Sequence, residues 1–323
     1  MTTTTARRLA GIACALACTT AQAQADYPAK PISIVVTFGA GSGSDVAARL
    51  YAKALKDKLG ATAVVDLKPG AAGMIGAQAV ARAAPDGYTL LMGSGTVNAA
   101  NYPLFRDRIT YQPQSFAVAG ILYTSPATLF AAREFKGDGV AEVLAEAGRG
   151  GRKLACGSGN AVTQVACEML KRKTGLDIVT VNYKGNAQSL TDLAGGQITV
   201  AFSDLAAAAP FMQRGAARPI AVPSRSRHAT LPQVKTFAEQ GIADFDFLSW
   251  NGIFVPAGTP AEIIGKLNEA VRHLLTTPEW ENLRLSTAGL KVSGELKEAQ
   301  DFVASEIAKW ERYVRESGVK GSE

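Results

Sequence analysis

A short segment near the N-terminus, residues 27–45, most strongly constrains how this 323-residue chain can fold. A β-branched stretch, Ile32–Thr37, leads through a loop of glycine and serine into a helix that we expect to begin at Asp45. Glycine lets backbone N–H groups approach a ligand closely, and a helix N-terminus carries partial positive charge. The segment therefore predicts an anion site that needs no cationic side chain.

The first 25 residues have the organisation of a secretory signal peptide. Two arginines precede a short apolar run, Leu9–Cys18, and Ala23–Ala25 has the small residues of a cleavage site. The apolar run is too short to span a bilayer, so we expect a periplasmic protein with a mature chain from Asp26. A fainter similarity of Ala15–Cys18 to a lipoprotein cleavage site leaves a lipid anchor as the alternative.

Composition indicates a globular protein rather than a nucleic-acid-binding or fibrous one. Hydrophobic residues make up 47% of the chain and charged residues 19%, which is typical of soluble domains. The net charge of +6 is a mild basic excess, and no run of lysine and arginine is interleaved with aromatic residues. We therefore expect no nucleic-acid partner, and one or two domains in a monomer.

Two cysteines remain after the predicted signal peptide, Cys156 and Cys167. In an exported protein such a pair can form a disulfide. Two small buried apolar side chains would give the same sequence. The sequence leaves both interpretations open because it does not give the distance between the Cβ atoms.

Strand and helix patterns alternate along most of the chain, which predicts an α/β fold of mainly parallel sheets flanked by helices. The helices after residue 259 follow one another without intervening strands, and the first of them opens with a capping box, Thr259–Glu262. Strands are predicted at Ile32–Thr37, Ala63–Asp66, Thr89–Met92, Leu154–Ala155, Ile178–Val181, Val200–Ser203 and Pro219–Val222, and helices at Asp45–Leu59, Met74–Ala83, Thr163–Lys173, Ala187–Ala194, Ala206–Arg214, 260–276, Pro278–Thr287 and Leu296–Val314.

Three loops of small residues follow predicted strands: Phe38–Ser44, Gly93–Asn98 and Gly157–Thr163. In an open α/β sheet the ligand lies beyond the carboxyl ends of the strands. The loops fall in both halves of the alternating pattern, and binding sites commonly lie between domains. If all three loops contact one ligand, a cleft between two lobes is the natural arrangement.

Four segments in a fixed order carry a family resemblance. They are KPGAAGMIGAQAVARAA at 68–84, PDGYTLLMG at 85–93, NYKGNAQSLTDLAGGQ at 182–197 and FVPAGTP at 254–260. They resemble the substrate-binding receptors of tripartite tricarboxylate transporters, also called Bug receptors, and the resemblance extends over the whole mature chain. It implies a type II periplasmic binding-protein (Venus flytrap) fold, with two lobes hinged by two crossover strands.

The resemblance also implies a function. Such receptors capture small carboxylates and present them to a membrane permease of the tripartite tricarboxylate type, without a cofactor or catalysis. We expect lobe one to comprise residues 26–122 and 224–323, and lobe two residues 123–223, after a signal peptide at 1–25. A partner-binding or sensing protein of the same fold, with no transport role, is the alternative.

The ligand-binding residues are expected in the three loops and after two further strands, where backbone amides, hydroxyls and water hold the carboxylate. This chain departs from the family pattern at the cleft: Gly39 and Ala40 replace loop prolines, and Ser203-Asp204 replaces a common Asp-Asn pair. The relatives' ligands therefore do not transfer automatically. The expected ligand-binding residues are Phe38, Ser42, Gly43, Ser44, Ser94, Gly95, Thr96, Ser158, Gly159, Asn160, Thr163, Tyr183 and Asp204.

Each of these residues also has a structural interpretation. The hydroxyls can cap helices or close turns, Asp204 can cap the helix that follows it, and Phe38 can pack beneath its loop. We expect Asp45 to be a helix N-cap rather than a ligand contact, and Trp250 to lie in the core.

An enzyme is the main competing class. Gly39, Gly41 and Ser44 approximate a dinucleotide fingerprint, and Asp66 follows at the end of the next strand, but the third glycine is absent and an exported protein leaves the compartment that holds NAD. No Gly-x-Ser-x-Gly motif occurs. The two histidines, His228 and His273, are expected at the surface, and we predict no metal site.

Overall fold

The structure, a computed structural model, describes residues 27–319 except residues 152, 225, 229, 287 and 288. The predicted signal peptide and its two cysteines lie outside the described residues. Within the described ranges, no helix combines the length and apolar character needed to cross a bilayer.

Ten strands and ten α-helices make up the described part of the chain. The strands are β1 (Ile32–Val36), β2 (Ala63–Leu67), β3 (Thr89–Ser94), β4 (Phe116–Pro126), β5 (Thr128–Ala132), β6 (Leu154–Ser158), β7 (Ile178–Asn182), β8 (Val200–Ser203), β9 (Ala217–Ala221) and β10 (Leu248–Pro256). The helices are α1 (Gly43–Leu59), α2 (Met74–Ala81), α3 (Asn101–Leu104), α4 (Val140–Ala147), α5 (Ala161–Thr174), α6 (Asn186–Ala194), α7 (Leu205–Gln213), α8 (Ala261–Leu274), α9 (Pro278–Ser286) and α10 (Leu296–Ser317).

The strands form two separate five-stranded sheets. Sheet A has the order β2-β1-β3-β10-β4, and sheet B has the order β7-β6-β8-β5-β9. In each sheet four strands run in the same direction and one strand, β10 in sheet A and β5 in sheet B, runs opposite to them. The sheets are thus mixed, with the parallel majority that the alternating pattern predicts.

The two reversed strands are the ones that arrive from the other sheet. β4 leaves sheet A at its carboxyl edge, and after Ala127 the chain continues as β5 in sheet B. A strand that enters a sheet at its carboxyl edge must run against the strands already there. The same holds for β10, which returns to sheet A, so the carboxyl edges of the two sheets lie next to each other.

The two crossings lie side by side. The amide of Ala127 donates to the carbonyl of Phe247 at 2.9 Å, and the amide of Phe247 donates to the carbonyl of Pro223 at 3.3 Å. The segment before β10 packs on sheet B, because Phe237 and Phe245 stack with Phe202 of β8. The lobe boundaries at residues 122 and 223 stay predictions.

The C-terminal helix α10 contacts both halves of the molecule. It packs against β4 and α3 on the side of sheet A and against α5 on the side of sheet B. Trp250 of β10 is buried, as expected, and its indole nitrogen donates to the Glu306 carboxylate of α10 at 3.0 Å. Glu306 is itself only 3% exposed and pairs with Lys309 at 2.5 Å, so its buried charge is compensated.

Candidate ligand-binding site

The first loop connects β1 to α1, and its own side chains fix its shape. Ser42 is the N-cap of α1, since its Oγ accepts from the amide of Asp45 at 3.2 Å. The expectation that Asp45 is the cap is therefore wrong, and the helix begins two residues earlier, at Gly43. Asp45 instead accepts from the amide of Gly41 at 2.9 Å while Arg49 lies 2.9 Å from its other oxygen. The buried carboxylate thereby ties the loop to the helix.

The N-terminus of α1 keeps donors for a ligand. An α-helix leaves its first amides without intrahelical acceptors. The third of these amides bonds to Ser42 Oγ, so the amides of Gly43 and Ser44 remain at the carboxyl end of β1. Together with the helix dipole, these amides are suited to bind an anion, and the anion site stays a prediction.

The hydroxyl of Ser44 is held in place by a residue of sheet A. Asn251 of β10 donates its side-chain amide to Ser44 Oγ at 2.8 Å and to the carbonyl of Gly93 at 3.0 Å. Because Ser44 Oγ accepts here, its own proton is left to donate elsewhere. Asn251 was not among the expected site residues, and only its neighbour Trp250 was assigned a position, in the core.

The second predicted loop, 93–98, is not a loop. Gly93 and Ser94 are the last residues of β3, Gly95 follows, and the chain then makes a π-helical turn over Thr96–Ala100 that leads into α3. Ser94 Oγ accepts from the amide of Val97 at 3.3 Å. The side chain of Asn98 accepts from the amide of Ser94 at 3.2 Å. Local hydrogen bonds thus close the turn, and Thr96 is almost fully buried within it.

In the third loop, between β6 and α5, the polar side chains cap the helix. Asn160 and Thr163 form a reciprocal capping box, in which Asn160 Oδ1 accepts from the amide of Thr163 at 3.0 Å. Thr163 Oγ1 accepts from the amides of Gly159 and Asn160. Ser158 donates to the side chain of Asn182 at 2.6 Å. These side chains shape the loop, which leaves the first amides of α5 as its donors.

The two expected residues outside the three loops, Tyr183 and Asp204, lie beside the third loop. Asp204 is the N-cap of α7, as its structural interpretation predicts, with Oδ1 accepting from the amide of Ala207 at 2.8 Å. Its other oxygen accepts from the side chain of Asn186 at 2.8 Å. The hydroxyl of Tyr183 donates to Asp192 at 2.8 Å, and burial together with this carboxylate raises the pKa of Tyr183 to about 12. Tyr183 is therefore a neutral hydroxyl at physiological pH.

Tyr123 of β4 lies beside the first loop and was not among the expected site residues. Its hydroxyl oxygen lies 2.8 Å from the position that a Cβ atom would take on Gly43. Burial raises the pKa of Tyr123, and the negative charge of Asp204 on the opposite side raises it further. Tyr123 therefore lies next to the α1 N-terminus, and its hydroxyl is neutral at physiological pH.

Two other expectations concern the side chains of Phe38 and His228. Phe38 is half-buried and packs against the core beneath its loop. His228 is only 7% exposed, and its Nδ1 lies 3.1 Å from Thr230 Oγ1, so the expectation that it lies at the surface is wrong. The polar neighbours of His228 in sequence do not reveal that its ring is buried.

The two cysteines in the described part of the chain form a disulfide. Cys156 of β6 is bonded to Cys167 of α5, with Cα atoms 5.8 Å apart. Of the two interpretations that the sequence leaves open, a disulfide or two separate buried side chains, the structure has the disulfide. The bond ties the helix of the third loop to its strand, in keeping with an oxidising compartment. No cluster of three or more His, Cys, Asp or Glu side chains suited to a metal ion occurs among the described residues.

Comparison with known proteins identifies the family. Residues 47–319 match the model of the tripartite tricarboxylate transporter family receptor. BugT from Bordetella pertussis is 31% identical over 314 residues, which cover 96% of each chain. The chain belongs to the tripartite tricarboxylate transporter receptor family. This is a family of periplasmic binding receptors and not of enzymes.

Solved structures of receptor-family proteins have the same fold. MatC from Rhodopseudomonas palustris, determined with bound malate, is 27% identical to this chain and superposes with a TM-score of 0.80. The match covers 89% of this chain and all of MatC. Rpa4515 from the same organism, determined with adipate, is 30% identical to this chain and superposes with a TM-score of 0.84. The match covers 91% of this chain and 99% of Rpa4515. The two-lobed periplasmic binding-protein fold expected from the sequence is therefore confirmed.

Proposed function

We propose that this receptor captures a small carboxylate between its two lobes and delivers it to a permease of the tripartite tricarboxylate type. The observation that carries the proposal is the donor group at the α1 N-terminus. The amides of Gly43 and Ser44 lie next to a serine hydroxyl that Asn251 holds with its proton free to donate. Donors fixed before the ligand arrives lose little entropy on binding.

The other side of the cleft would complete the site. The first amides of α5 and α7 lie at the carboxyl edge of sheet B, which adjoins the carboxyl edge of sheet A. A carboxylate held at α1 would gain these donors only when the lobes approach each other, so ligand binding favours a closed state. The malate and adipate bound to two relatives are both small carboxylates with more than one carboxyl group, in keeping with donors on both sides.

Asp204 and Tyr123 would select among carboxylates. The Asp204 carboxylate repels a second negative charge placed directly beside it, whereas the neutral Tyr123 hydroxyl can donate to one. The ligand therefore places its carboxyl groups at the helix N-termini and an uncharged or cationic part near Asp204.

Thermal unfolding in the presence of a ligand panel tests the proposal. The mature protein is scanned with mono-, di- and tricarboxylates, each paired with its neutral amide, and with nucleotides and sugars. A ligand at a hundredfold excess over its dissociation constant stabilises the folded state by about 2.7 kcal/mol. We expect stabilisation by at least one carboxylate and none by its amide. Stabilisation by nucleotides or sugars alone would contradict the proposal.

Delivery needs a separate measurement. Uptake of the identified carboxylate into proteoliposomes that hold a candidate permease should require the receptor. A ligand-binding receptor that leaves uptake unchanged with every permease of this type would support the sensing alternative.

A further inference from the structure

Two nearly buried polar side chains of sheet A border the N-terminus of α1. Asn251 of β10 is 5% exposed and Tyr123 of β4 is 7% exposed. They lie directly opposite each other in the antiparallel pair of β10 and β4, so their side chains point to the same face of the sheet. Asn251 contacts Ser44 Oγ, and the Tyr123 hydroxyl lies beside Gly43. Both side chains therefore adjoin the donors of the proposed carboxylate site.

The orientation of the Asn251 amide group is fixed by its neighbours. A carbonyl oxygen can only accept, so the side-chain nitrogen must be the atom that lies 3.0 Å from the carbonyl oxygen of Gly93. The same nitrogen donates to Ser44 Oγ at 2.8 Å. Among the described residues none donates to Asn251 Oδ1, and this oxygen is not sealed from solvent. Asn251 thus presents an unused acceptor beside the α1 N-terminus.

An ionised carboxylate alone does not satisfy this acceptor. A carboxylate accepts hydrogen bonds and has no proton to donate. The amides of Gly43 and Ser44 and the hydroxyl of Tyr123 can therefore pair with it, whereas Asn251 Oδ1 cannot. A ligand that displaces solvent from this oxygen without bonding to it leaves a buried acceptor unpaired, which weakens binding. A ligand with a donor next to its carboxylate avoids that loss.

We propose that the cleft selects carboxylates that carry a hydroxyl or ammonium group on the carbon next to a carboxyl group, and that Asn251 Oδ1 accepts from this group. The inference rests on the proposed capture of a carboxylate and narrows its ligand class. In such a molecule one carbon separates the carboxyl group from the donor, just as Ser44 Oγ and Asn251 Oδ1 are neighbours in the site. Asn251 then has two tasks, since its nitrogen holds Ser44 and its oxygen recognises the ligand.

Titration calorimetry on the mature protein with matched ligand sets tests the selection. Propionate, succinate and tricarballylate lack the donor, whereas lactate, malate and citrate carry a hydroxyl, and alanine and aspartate carry an ammonium group. In a set that binds, we expect the hydroxyl or ammonium compound to bind about tenfold more tightly than its unsubstituted partner. O-methylmalate keeps the oxygen of malate without its proton and should bind no more tightly than succinate.

The ligand sets separate this inference from the proposed function. Equal affinities within every set that binds would overturn the inference and leave carboxylate capture standing. Failure of every carboxylate to bind would overturn both. The stronger binder of malate and aspartate identifies the donor as a hydroxyl or an ammonium group.

Three variants assign the selection to one residue. Asn251→Ala removes the acceptor, so malate and succinate should bind with nearly equal affinity. Ser44→Ala removes a donor that both ligands use, so it should weaken both and keep their ratio. Asn282→Ala, at an exposed position of α9, should keep both affinities. A preference for malate that persists in Asn251→Ala would overturn the role of Asn251, and the ligand sets decide the selection even if this variant fails to fold.

Discussion

At the scale of single residues, several of the side chains expected to bind the ligand are used by the backbone of their own loop. Ser42, Asn160 and Thr163 each have their side-chain oxygen bonded to a loop or helix amide. Ser44 differs, because its oxygen accepts from a side chain of another strand and its proton stays available. A ligand role is therefore best tested at Ser44.

Ser44→Ala should weaken carboxylate binding by about 1.5–3 kcal/mol, the usual contribution of a hydrogen bond to a charged group, which corresponds to about 10- to 150-fold in affinity. Titration calorimetry with the carboxylate found by screening measures the change. Ser305→Ala, at an exposed position of α10, is the matched control and should bind normally. A Ser44→Ala protein with unaltered affinity would place the carboxylate elsewhere.

Gly159 is expected to be essential for packing rather than for direct ligand contact. A Cβ atom there would lie 2.2 Å from the backbone nitrogen of Asn186, so the two segments would have to separate. Gly159→Ala should lower the free energy of unfolding by about 1–3 kcal/mol, as overpacked sites do. Gly185→Ala is the control, because Gly185 is extended at φ 178° with nothing within 4 Å of the added atom. Equal denaturation midpoints for the two variants would contradict this account.

Sequence reasoning could find the residues that follow strands but not their roles. The sequence does not distinguish a serine that caps a helix from one that binds a ligand, because the difference depends on where the hydroxyl proton points in the folded protein. Tyr123 and Asn251 were missed because they come from strands that lie beside the loops in space and far from them in sequence. No local pattern marks such residues.

At the scale of elements, most helices and strands that flank glycine-rich loops were predicted to within two or three residues. β4, β5, β10, α3 and α4 were not among the predicted elements. β5 is a run of five fully buried residues, and such strands lack the alternation of polar and apolar positions that marks a half-exposed strand. The π-helical turn after β3 was missed because its side-chain caps are defined only by the folded backbone.

The disulfide should stabilise β6 and α5 as a unit. It closes a loop with a sequence separation of 11, and restriction of the unfolded chain by a loop of that size is worth about 3 kcal/mol. Addition of a reductant should lower the unfolding free energy by that amount in chemical denaturation. A variant with both Cys156→Ala and Cys167→Ala should already be less stable and should not respond to the reductant. A wild-type midpoint that reductant leaves unchanged would contradict the prediction.

The segment between β9 and β10 should be sensitive to acid. Glu239 accepts from Arg227 at 2.9 Å and from the amide of Thr236 at 2.8 Å, and these bonds lower the pKa of Glu239 to about 2. Because the folded pKa lies below the ordinary value of 4.5, the stabilisation is complete above pH 4.5 and is lost as the pH falls towards 2.

The variant Glu239→Gln should therefore be less stable at pH 7 and should lose less stability than wild type between pH 4.5 and pH 2. Urea denaturation across this range measures both effects. Glu298→Gln, at an exposed position of α10, should keep the wild-type profile. A Glu239→Gln profile parallel to that of wild type would argue against the ion pair.

At the scale of the whole molecule, the family resemblance predicted the two-lobed architecture, and the strand directions explain how it is built. The position of α10 was not predictable, because an amphipathic helix does not show which surfaces it covers. It contacts α3 on one side and α5 on the other, so any change in the angle between the lobes must alter one of these contacts.

Ligand binding should make the molecule more compact. The proposed carboxylate gains donors from α5 and α7 only when they approach α1, so it stabilises the closed state. Small-angle scattering with and without a saturating carboxylate should show a smaller radius of gyration in its presence. The Ser44→Ala protein, at the same ligand concentration, should remain nearer to the open value. An unchanged radius in the wild-type protein would indicate a rigid, preformed site.

The pairing of the crossings around Ala127 and Phe247 has a mechanical consequence. Two hydrogen-bonded segments side by side form a ribbon, which flexes readily out of its own plane and resists shear within it. With Ala127 as the one residue between β4 and β5, there is no slack for the lobes to slide past each other. We therefore expect the lobes to move mainly by rotation about this ribbon, so that the length of the proposed ligand would set the angle between them.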